Sequence, residues 1–591
     1  MSAEYIIGID LGTTNSVVAY ARLEREAPDV ELLPIPQLVG PATIESRSGL
    51  PSFLALGGKV DPSFAVPWAE NRDYHVGEWA RRQSAELPDR VVSGAKSWLC
   101  HSRVDRHQPI LPWNAPDEVP KISPVTATKR LVEHLIASWN QKFPDAPLIK
   151  QRVVLTVPAS FDAAARELTR EAAVAAGLPE NFVLLEEPQA AVYAWLSEMG
   201  DSWRKTLKVG DSILVIDVGG GTTDLTLVST GEEHGELLLR RIAVGNHLLV
   251  GGDNMDLALA HHVAERFAEQ GTNLDPWQSV SLWHACRNAK EALLSDDGPD
   301  SQPVAILGRG RKLIGGTVSV DLDREMTRTL LLEGFLPSCD ISESVTRKRG
   351  SGFQQIGLPY EMETGITRHI ADFLTRQSVD GTPFQPTDIL VNGGVFKPSS
   401  FVQRLIDVMA EWFPNNSPRP LAGERDLDHA VARGAAYYGW SKDHGGIRIR
   451  GGTARSYYVG IETAGLAIPG APRPLNALCV VPRGMEEGTE NDIPTNNVGL
   501  IVGEPVQFRF FSSPVRKDDK PGDVLTQWSA DEIAETDSLE ATLPIDEGEE
   551  GTYVPVRFHA KITELGMFEL WCVSTTSDQE WKLEFSVRED S

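Results

Sequence analysis

At 591 residues the chain is longer than one hydrophobic core supports, so two or more domains are expected. Its 41% apolar and 24% charged residues are those of a globular protein and exclude a disordered or fibrous one. A net charge of −27 argues against nucleic acid and anionic membrane as partners; residues 486–591, with 24 acidic and 8 basic side chains, carry more than half of that excess.

The opening MSAEYIIGIDLG has no basic n-region, so no signal peptide is expected, and no apolar stretch is long enough for a membrane span. Cys100, Cys286, Cys339, Cys479 and Cys572 are scattered without a CxxC pair. That argues against a disulfide framework or zinc cluster and fits a reducing, cytoplasmic setting.

To about Trp440 short β runs alternate with helical stretches, the pattern of an α/β protein. Tyr5–Asp10, Val153–Val157, Ile213–Val218 and Ile389–Val391 predict strands buried on both faces. Phe161–Ala176, Asp253–Gln270, Ser279–Leu294 and Ser399–Trp412 predict helices, the last opened by Pro398-Ser399. Trp68, Trp79, Trp98 and Trp113 fall mostly in an extra-looking region, 61–120, and are expected to pack locally. His261-His262 lies in a helix, where neighbours point about 100° apart, so no shared metal is expected there. The basic island 346–352 predicts an exposed loop, and the glycine-rich GGIRIRGGT at 445–453 predicts a linker. Beyond it the patterning has period two. Val506, Phe508 and Phe510 alternate with Gln507, Arg509 and Phe511, and Trp581, Leu583, Phe585 and Val587 alternate with polar residues. Antiparallel sheets with one wet face are expected.

Two segments carry chemistry. Asp10-Leu-Gly-Thr-Thr-Asn-Ser16 and Asp217-Val-Gly-Gly-Gly-Thr-Thr-Asp224 each follow a buried strand, begin with Asp, turn on glycine, supply threonines and resume β character. Glycines let backbone N–H groups line a phosphate, and an Asp at a strand end is placed to hold Mg²⁺ through water. The matched pair predicts two similar half-domains facing one nucleotide. GxxxxGK[ST] and a helix-opening GxGxxG are both missing, which disfavours P-loop and Rossmann folds.

These segments resemble the signatures of the seventy-kilodalton heat-shock (DnaK-type) chaperone family, within the actin and sugar-kinase superfamily. VVLTVPASFDAAARELTREAAVAAGL, LLEEPQAAVYAW, NHLLVGGDNMD, ACRNAKEAL, ILVNGGVFKP and DHAVARGAA follow in the family's order. The resemblance covers about residues 5–440, and more loosely 457–591. It implies an α/β actin-like (ribonuclease H-like) two-lobed ATPase domain at 1–440, with lobe I about 1–208 plus the 425–440 helix and lobe II about 209–424. A linker at 441–456 and a mostly antiparallel β-sandwich substrate- or partner-binding domain at 457–591 complete it. No helical pattern is found beyond Leu543, so this member is expected to lack the family's helical lid.

By position, Gly12, Thr13, Thr14 and Asn15, with Gly219, Gly220, Gly221, Thr222 and Thr223, are implied to cradle the β- and γ-phosphates of ATP or ADP. Gly251 and Gly252 would join them. Asp10, Asp217 and Asp224 would organise Mg²⁺ and monovalent cations such as K⁺. Lys96, Glu187, Asp217 and Thr222 form the implied catalytic set. Lys96 would stabilise charge on the transferring phosphoryl group and Glu187 would orient the attacking water. Lys290, Gly393, Gly394, Val395, Lys397 and Asp428 would border the nucleoside.

Departures from the family gather at the base. Arg287 and Glu291 stand where Glu and Arg are usual, and Leu294 replaces Ser. Glu291 removes the arginine that stacks on adenine. An exchanged Arg287–Glu291 pair and a substitute aromatic surface from Phe396 are expected in its place. The linker holds only Ile447 and Ile449 where the family has a leucine-rich strand.

The expected function is an ATP-hydrolysing chaperone whose nucleotide state controls binding of unfolded polypeptide or a dedicated protein partner. J-domain and nucleotide-exchange cochaperones are among the partners the family implies. The alternatives are a regulatory or scaffolding ATP-binding module and, more remotely, a sugar kinase.

Overall fold

The computed structural model describes residues 3–583 except 26, 102, 114, 234–235, 247, 308–316, 344, 346–357, 359, 379–380, 422, 424–425, 445–448, 451–452, 454, 463–474, 486–488, 503–504, 514, 517, 530–531, 543–551, 563–567 and 578. The chain divides into two compact units, Met1–Leu239 with Val244–Arg448 and Arg240–Ala243 with Ile449–Ser591. The basic island 346–352, Ile447, Phe585 and Val587 lie outside the described residues.

The first unit holds two sheets built alike. In one, β1 (Tyr5–Leu11) runs antiparallel to β2 (Asn15–Arg22) and parallel to β3 (Arg152–Val157), which pairs in turn with β4 (Val183–Glu186). In the other, β5 (Ser212–Val218) runs antiparallel to β6 (Thr223–Glu233) and parallel to β7 (Asp388–Asn392). Each central strand is apolar at nearly every position because both of its faces are covered.

Helices α1 (Ala95–Leu99), α2 (Pro124–Lys142), α3 (Ala163–Ala176) and α4 (Glu187–Met199) belong with the first sheet. Their ends follow local chemistry. Ser123 caps α2 ahead of Pro124, its hydroxyl accepting from Thr126 N at 3.0 Å; Asp162 caps α3 at 2.7 Å, and Gly177 ends it at φ 107°. The core under α2 is aromatic, with Tyr5, Tyr20, Trp139 and Phe143 meeting at centroid distances of 4.4–6.0 Å. The second half carries α5 (Gly252–Glu269), α6 (Pro276–Leu294) and α7 (Ser399–Trp412). Reciprocal Asp275–Gln278 hydrogen bonds set the start of α6, three residues ahead of the expected one. Finally α8 (Ala430–Asp443) returns to pack on β1 and α4. Glycine makes that packing possible, since a Cβ on Gly8 would strike Ala432 O and one on Gly434 would strike Ala190 O.

The second unit pairs β8 (Ser456–Glu462), β9 (Leu475–Val481), β11 (Pro505–Ser513), β12 (Val524–Leu525) and β13 (Ala534–Thr542) in the order β12-β9-β8-β11-β13. A second sheet runs β10-β14-β15-β16, from Glu490–Val502, Thr552–Ile562, Phe568–Ser574 and Glu580–Leu583. Neighbouring strands are antiparallel throughout. Val459, Leu478, Phe508 and Phe510 from one sheet share a core with Leu500, Phe558, Leu570 and Cys572 from the other, so the sheets form a sandwich. The expected wet face is only partly wet. Phe511 is buried outside that core with Tyr458, Cys479 and Ile533, with Trp528 at 5.6 Å. Within 441–456, α8 runs on to Asp443, Ile449–Arg450 is a short strand and Ser456 already begins β8.

Candidate nucleotide site

Equivalent positions of the two sheets carry the two aspartates. Asp10 is the penultimate residue of β1, opposite Thr156 of β3, whose hydroxyl lies 3.3 Å from its carboxylate. Asp217 is the penultimate residue of β5, opposite Asn392 of β7, whose Nδ2 donates to it at 3.0 Å. The glycine-threonine segments are the hairpin turns that follow. Ser52 fixes the first, donating from N to Thr14 O at 2.8 Å and from Oγ to Gly12 O at 2.7 Å. Gly219 N donates to Thr222 O at 2.9 Å in the second, on which α5 starts through Gly252 N to Gly219 O at 3.0 Å and Asp253 N to Gly220 O at 2.7 Å. Both hairpins line one cavity of about 530 Å³, within the usual range for small-molecule sites.

Lys96, on the short helix α1, and Glu187, at the first position of α4, meet in this cavity as a buried ion pair. Burial opposes the ammonium, but Glu187, Asp10 and Asp224 outweigh it and raise the Lys96 pKa, so the lysine stays charged. Burial followed by Glu187 pushes the Asp10 carboxyl up to about 7, against Lys96 and Thr156. Asp217, Asp224 and Glu187 are raised as well, burial first in each case. Four carboxyls thus share one ammonium, an excess of negative charge that a cation would relieve. Among the described residues no three His, Cys, Asp or Glu side chains converge closely enough to hold a metal directly. This donor set fits a hydrated divalent ion held through water, as Mg²⁺ prefers.

At the other end of the cavity the structure corrects two expectations. Arg287 does not pair with Glu291. It is buried on α6 and bonds Asp256 through Nε at 2.8 Å and Asp253 through Nη2, while Lys290 reaches Asp256 at 2.6 Å and Gly252 O at 3.0 Å. Glu291 turns instead to Arg81, 3.4 Å away. Phe396 offers no surface to a base, being 2% exposed and outside the cavity lining; Phe401, Leu427 and Val431 supply the apolar wall beside Leu294 and Val395.

Asp10, Gly12, Thr13, Thr14, Asn15, Lys96, Glu187, Asp217, Gly219, Gly220, Thr222, Gly252, Lys290, Glu291, Leu294, Gly393, Gly394, Val395, Lys397 and Asp428 line the cavity. Four further residues sit behind it. Asp224 accepts from Ser160 N at 3.1 Å and Oγ at 2.6 Å, Thr223 donates to Val250 O at 2.8 Å, Gly221 backs onto Ser97 and Thr13, and Gly251 abuts the second hairpin. Sequence reasoning missed Asp253, Asp256 and Asn392. The signal was present, since Asp253 and Asp256 stand three apart on one helical face and Asn392 occupies in β7 the place of Thr156 in β3.

A family model described as Hsp70 protein matches residues 55–330. The chaperone protein DnaK of Thermotoga petrophila is 28% identical over 451 residues, 73% of this chain and 59% of the relative, and that of Thermotoga maritima matches to the same extent. DnaK of Thermosipho melanesiensis is 30% identical over 271 residues, 45% of this chain and 37% of its own. The chain therefore spans 59% of the length of the Thermotoga relatives. No helix among the described residues is long and apolar enough to cross a membrane. With its paired strand–hairpin units and these matches, the chain is similar to the heat-shock 70 family.

Proposed function

We propose that the first unit is an actin-like, ribonuclease H-like ATPase domain that binds ATP and hydrolyses it with Mg²⁺. In the same reading, its nucleotide state controls capture of unfolded polypeptide, or of a dedicated protein partner, by residues 457–591 in the cytoplasm. The observation that carries this is two equivalent hairpins on one cavity, with the Lys96–Glu187 pair between them.

The backbone N–H groups and hydroxyls of Gly12–Asn15 and Gly219–Thr222 hold the β- and γ-phosphates. Lys96, kept charged by its carboxylate neighbours, stabilises negative charge gathering on the transferring phosphoryl group. Glu187 accepts a hydrogen bond from the attacking water and fixes its approach, and Thr222 holds the phosphoryl oxygens in line. Asp10, Asp217 and Asp224 would hold Mg²⁺, and K⁺, through their water shells, and the bound divalent ion would supply charge neutralisation at the phosphates. Gly393, Gly394, Val395 and Leu294 bound the nucleoside, with Lys290, Lys397 and Asp428 at its polar edges.

A second reading, a scaffolding module with slow or no hydrolysis, is favoured by the base end. The Arg287 guanidinium there is consumed by Asp253 and Asp256, leaving apolar walls and Glu291. Single-turnover hydrolysis of ATP by the wild type, Lys96→Ala and Thr222→Ala separates the two. The ATPase reading expects each substitution to slow the step about 10²-fold or more. Wild-type hydrolysis no faster than the variants, with or without Mg²⁺, would sink it. Release of a bound unfolded peptide on adding ATP is the result the chaperone reading expects, and an ATP-insensitive complex leaves the scaffold.

A further inference from the structure

A pocket rejects the wrong base strongly only when that base leaves fixed, buried polar groups unpaired. A site built that way discriminates by about 10⁴–10⁵-fold, whereas an apolar pocket does so by about 10–200-fold. The end of the cavity away from Lys96 and Glu187 is of the second kind. Its wall is Leu294, Val395, Phe401, Leu427 and Val431, of which Leu294, Phe401 and Val431 are buried. The buried charges lining that end are Asp253, Asp256 and Arg287, joined by Lys290, whose side chain is 13% exposed. They satisfy one another. Arg287 bonds Asp256 and Asp253, and Lys290 meets Asp256 at 2.6 Å and Gly252 O at 3.0 Å. Each is bonded within the protein whichever base arrives, so neither purine strands a charge there. Among the described lining residues at that end, no buried charged side chain is left to read a base edge.

The other charged groups lining that end, Glu291, Asp296, Lys397 and Asp428, are exposed. Glu291 meets Arg81 at 3.4 Å and Lys397 meets Asp428 at 2.6 Å, through side chains between 28% and 52% exposed. Pairs this exposed are weak, and their long side chains reorient at little cost. They also offer both signs. An ammonium donates to N7 of either purine or to O6 of guanine, and a carboxylate accepts from N6 of adenine or from N2 of guanine. The mouth therefore adapts to either base edge, and water serves what the side chains leave. The hairpins at the opposite end carry backbone N–H groups and hydroxyls suited to phosphates, which all nucleotides share.

We propose that the cavity is a purine-nucleotide site indifferent to the base, taking guanosine and adenosine phosphates with similar affinity; this rests on the nucleotide reading given above. The phosphates and the apolar wall supply the affinity. A pyrimidine covers less of that wall and is held more weakly.

The test is calorimetric titration of the full chain, in the presence of Mg²⁺, with ADP, GDP and UDP. Dissociation constants for ADP and GDP are expected within about tenfold of each other, with UDP at least about tenfold weaker than either. Leu294→Ala is expected to weaken ADP and GDP alike, by about threefold or more, because both bases rest on the same wall. Lys397→Ala and Glu291→Ala are expected to leave the ratio of the two constants within about threefold of the wild type, since flexible exposed groups follow either base. A ratio of ADP to GDP affinity beyond tenfold in either direction would overturn the proposal and leave the nucleotide reading in place. So would UDP bound as tightly as the purines, a Leu294→Ala loss confined to one purine, or a larger change of the ratio in either mouth variant. Binding of neither ADP nor GDP would defeat the nucleotide reading itself, and the base indifference with it.

Discussion

Arg287 holds two buried acids at once, and the acids depend on it. Asp253 and Asp256 are 5% and 1% exposed. Burial pushes the Asp253 carboxyl up to about 6 despite the guanidinium, with Asp256 adding to the rise. Removing the guanidinium leaves Asp253 with no cation bonded to it, whereas Asp256 keeps Lys290. Breaking a buried pair from one side costs about 3–5 kcal/mol, so Arg287→Ala is expected to lower the urea midpoint by that equivalent. Adding Asp253→Asn to Arg287→Ala is expected to recover part of the loss in the same measurement, because the second change removes the stranded charge. The sequence marks residue 287 as unusual, and it places the phosphate hairpins, which are contiguous signals. It does not give the partner of Arg287, since Glu291 is four residues away on the same helix while Asp253 and Asp256 come from α5. Which of these acids wins depends on how α5 and α6 pack, and that is a tertiary choice.

Among elements, the helix starts and the central strands are legible because their causes are local: Ser123-Pro124, Asp162, and apolar runs ending at Asp10 and Asp217. The return of α8 onto the first sheet is less legible, since its cause is a pair of close approaches between distant residues. Gly434 lies against the backbone of α4 at Ala190, where a methyl group has no room. Gly434→Ala is therefore expected to destabilise the first unit by about 1–3 kcal/mol, although alanine favours a helix, and calorimetry of the variant checks it. Two ion pairs also join elements around the mouth of the cavity. Arg81 of the helix Glu78–Gln83 meets Glu291 of α6 at 3.4 Å, and Lys397 meets Asp428 at 2.6 Å. These side chains are substantially exposed, so each pair contributes no more than about 1 kcal/mol. Arg81→Ala is expected to quicken release of a fluorescent ADP analogue by about fivefold at most, an effect that shrinks between 50 and 500 mM salt. A larger acceleration that salt does not reduce would mean that Arg81 acts on the bound nucleotide itself and not through Glu291.

At the scale of the whole molecule, two groups of buried titratable residues pull stability in opposite directions as the pH falls. Three of the buried histidines in the first unit, His75, His134 and His284, have pKa values held down to about 4, 3 and 3, burial being the largest cause in each. Arg72 adds to the depression at His75 and His134, and Arg287 does so at His284; Gln83 and Asp61 oppose it at His75, and Pro36 O at His134. A depressed folded-state value means that the unfolded chain takes up the proton first. The stability each histidine contributes is therefore present above its ordinary value near 6.5 and is lost as the pH falls below it, by about 1.4 kcal/mol per unit. The raised carboxyls act the other way. Asp10, near 7, and Asp253, near 6, hold protons better in the folded chain, so they favour folding as the pH falls from 7 towards 4. A plain stability–pH curve mixes the two groups, and a difference between variants separates them. His134→Gln keeps a donor for Pro36 O and has no proton to gain. Relative to the wild type it is expected to recover about 2 kcal/mol of unfolding free energy on going from pH 7.5 to pH 5, whatever it costs at pH 7.5. Urea titrations of both proteins at the two pH values measure this directly, and parallel losses would mean that the folded His134 ring takes up its proton as readily as the unfolded chain does.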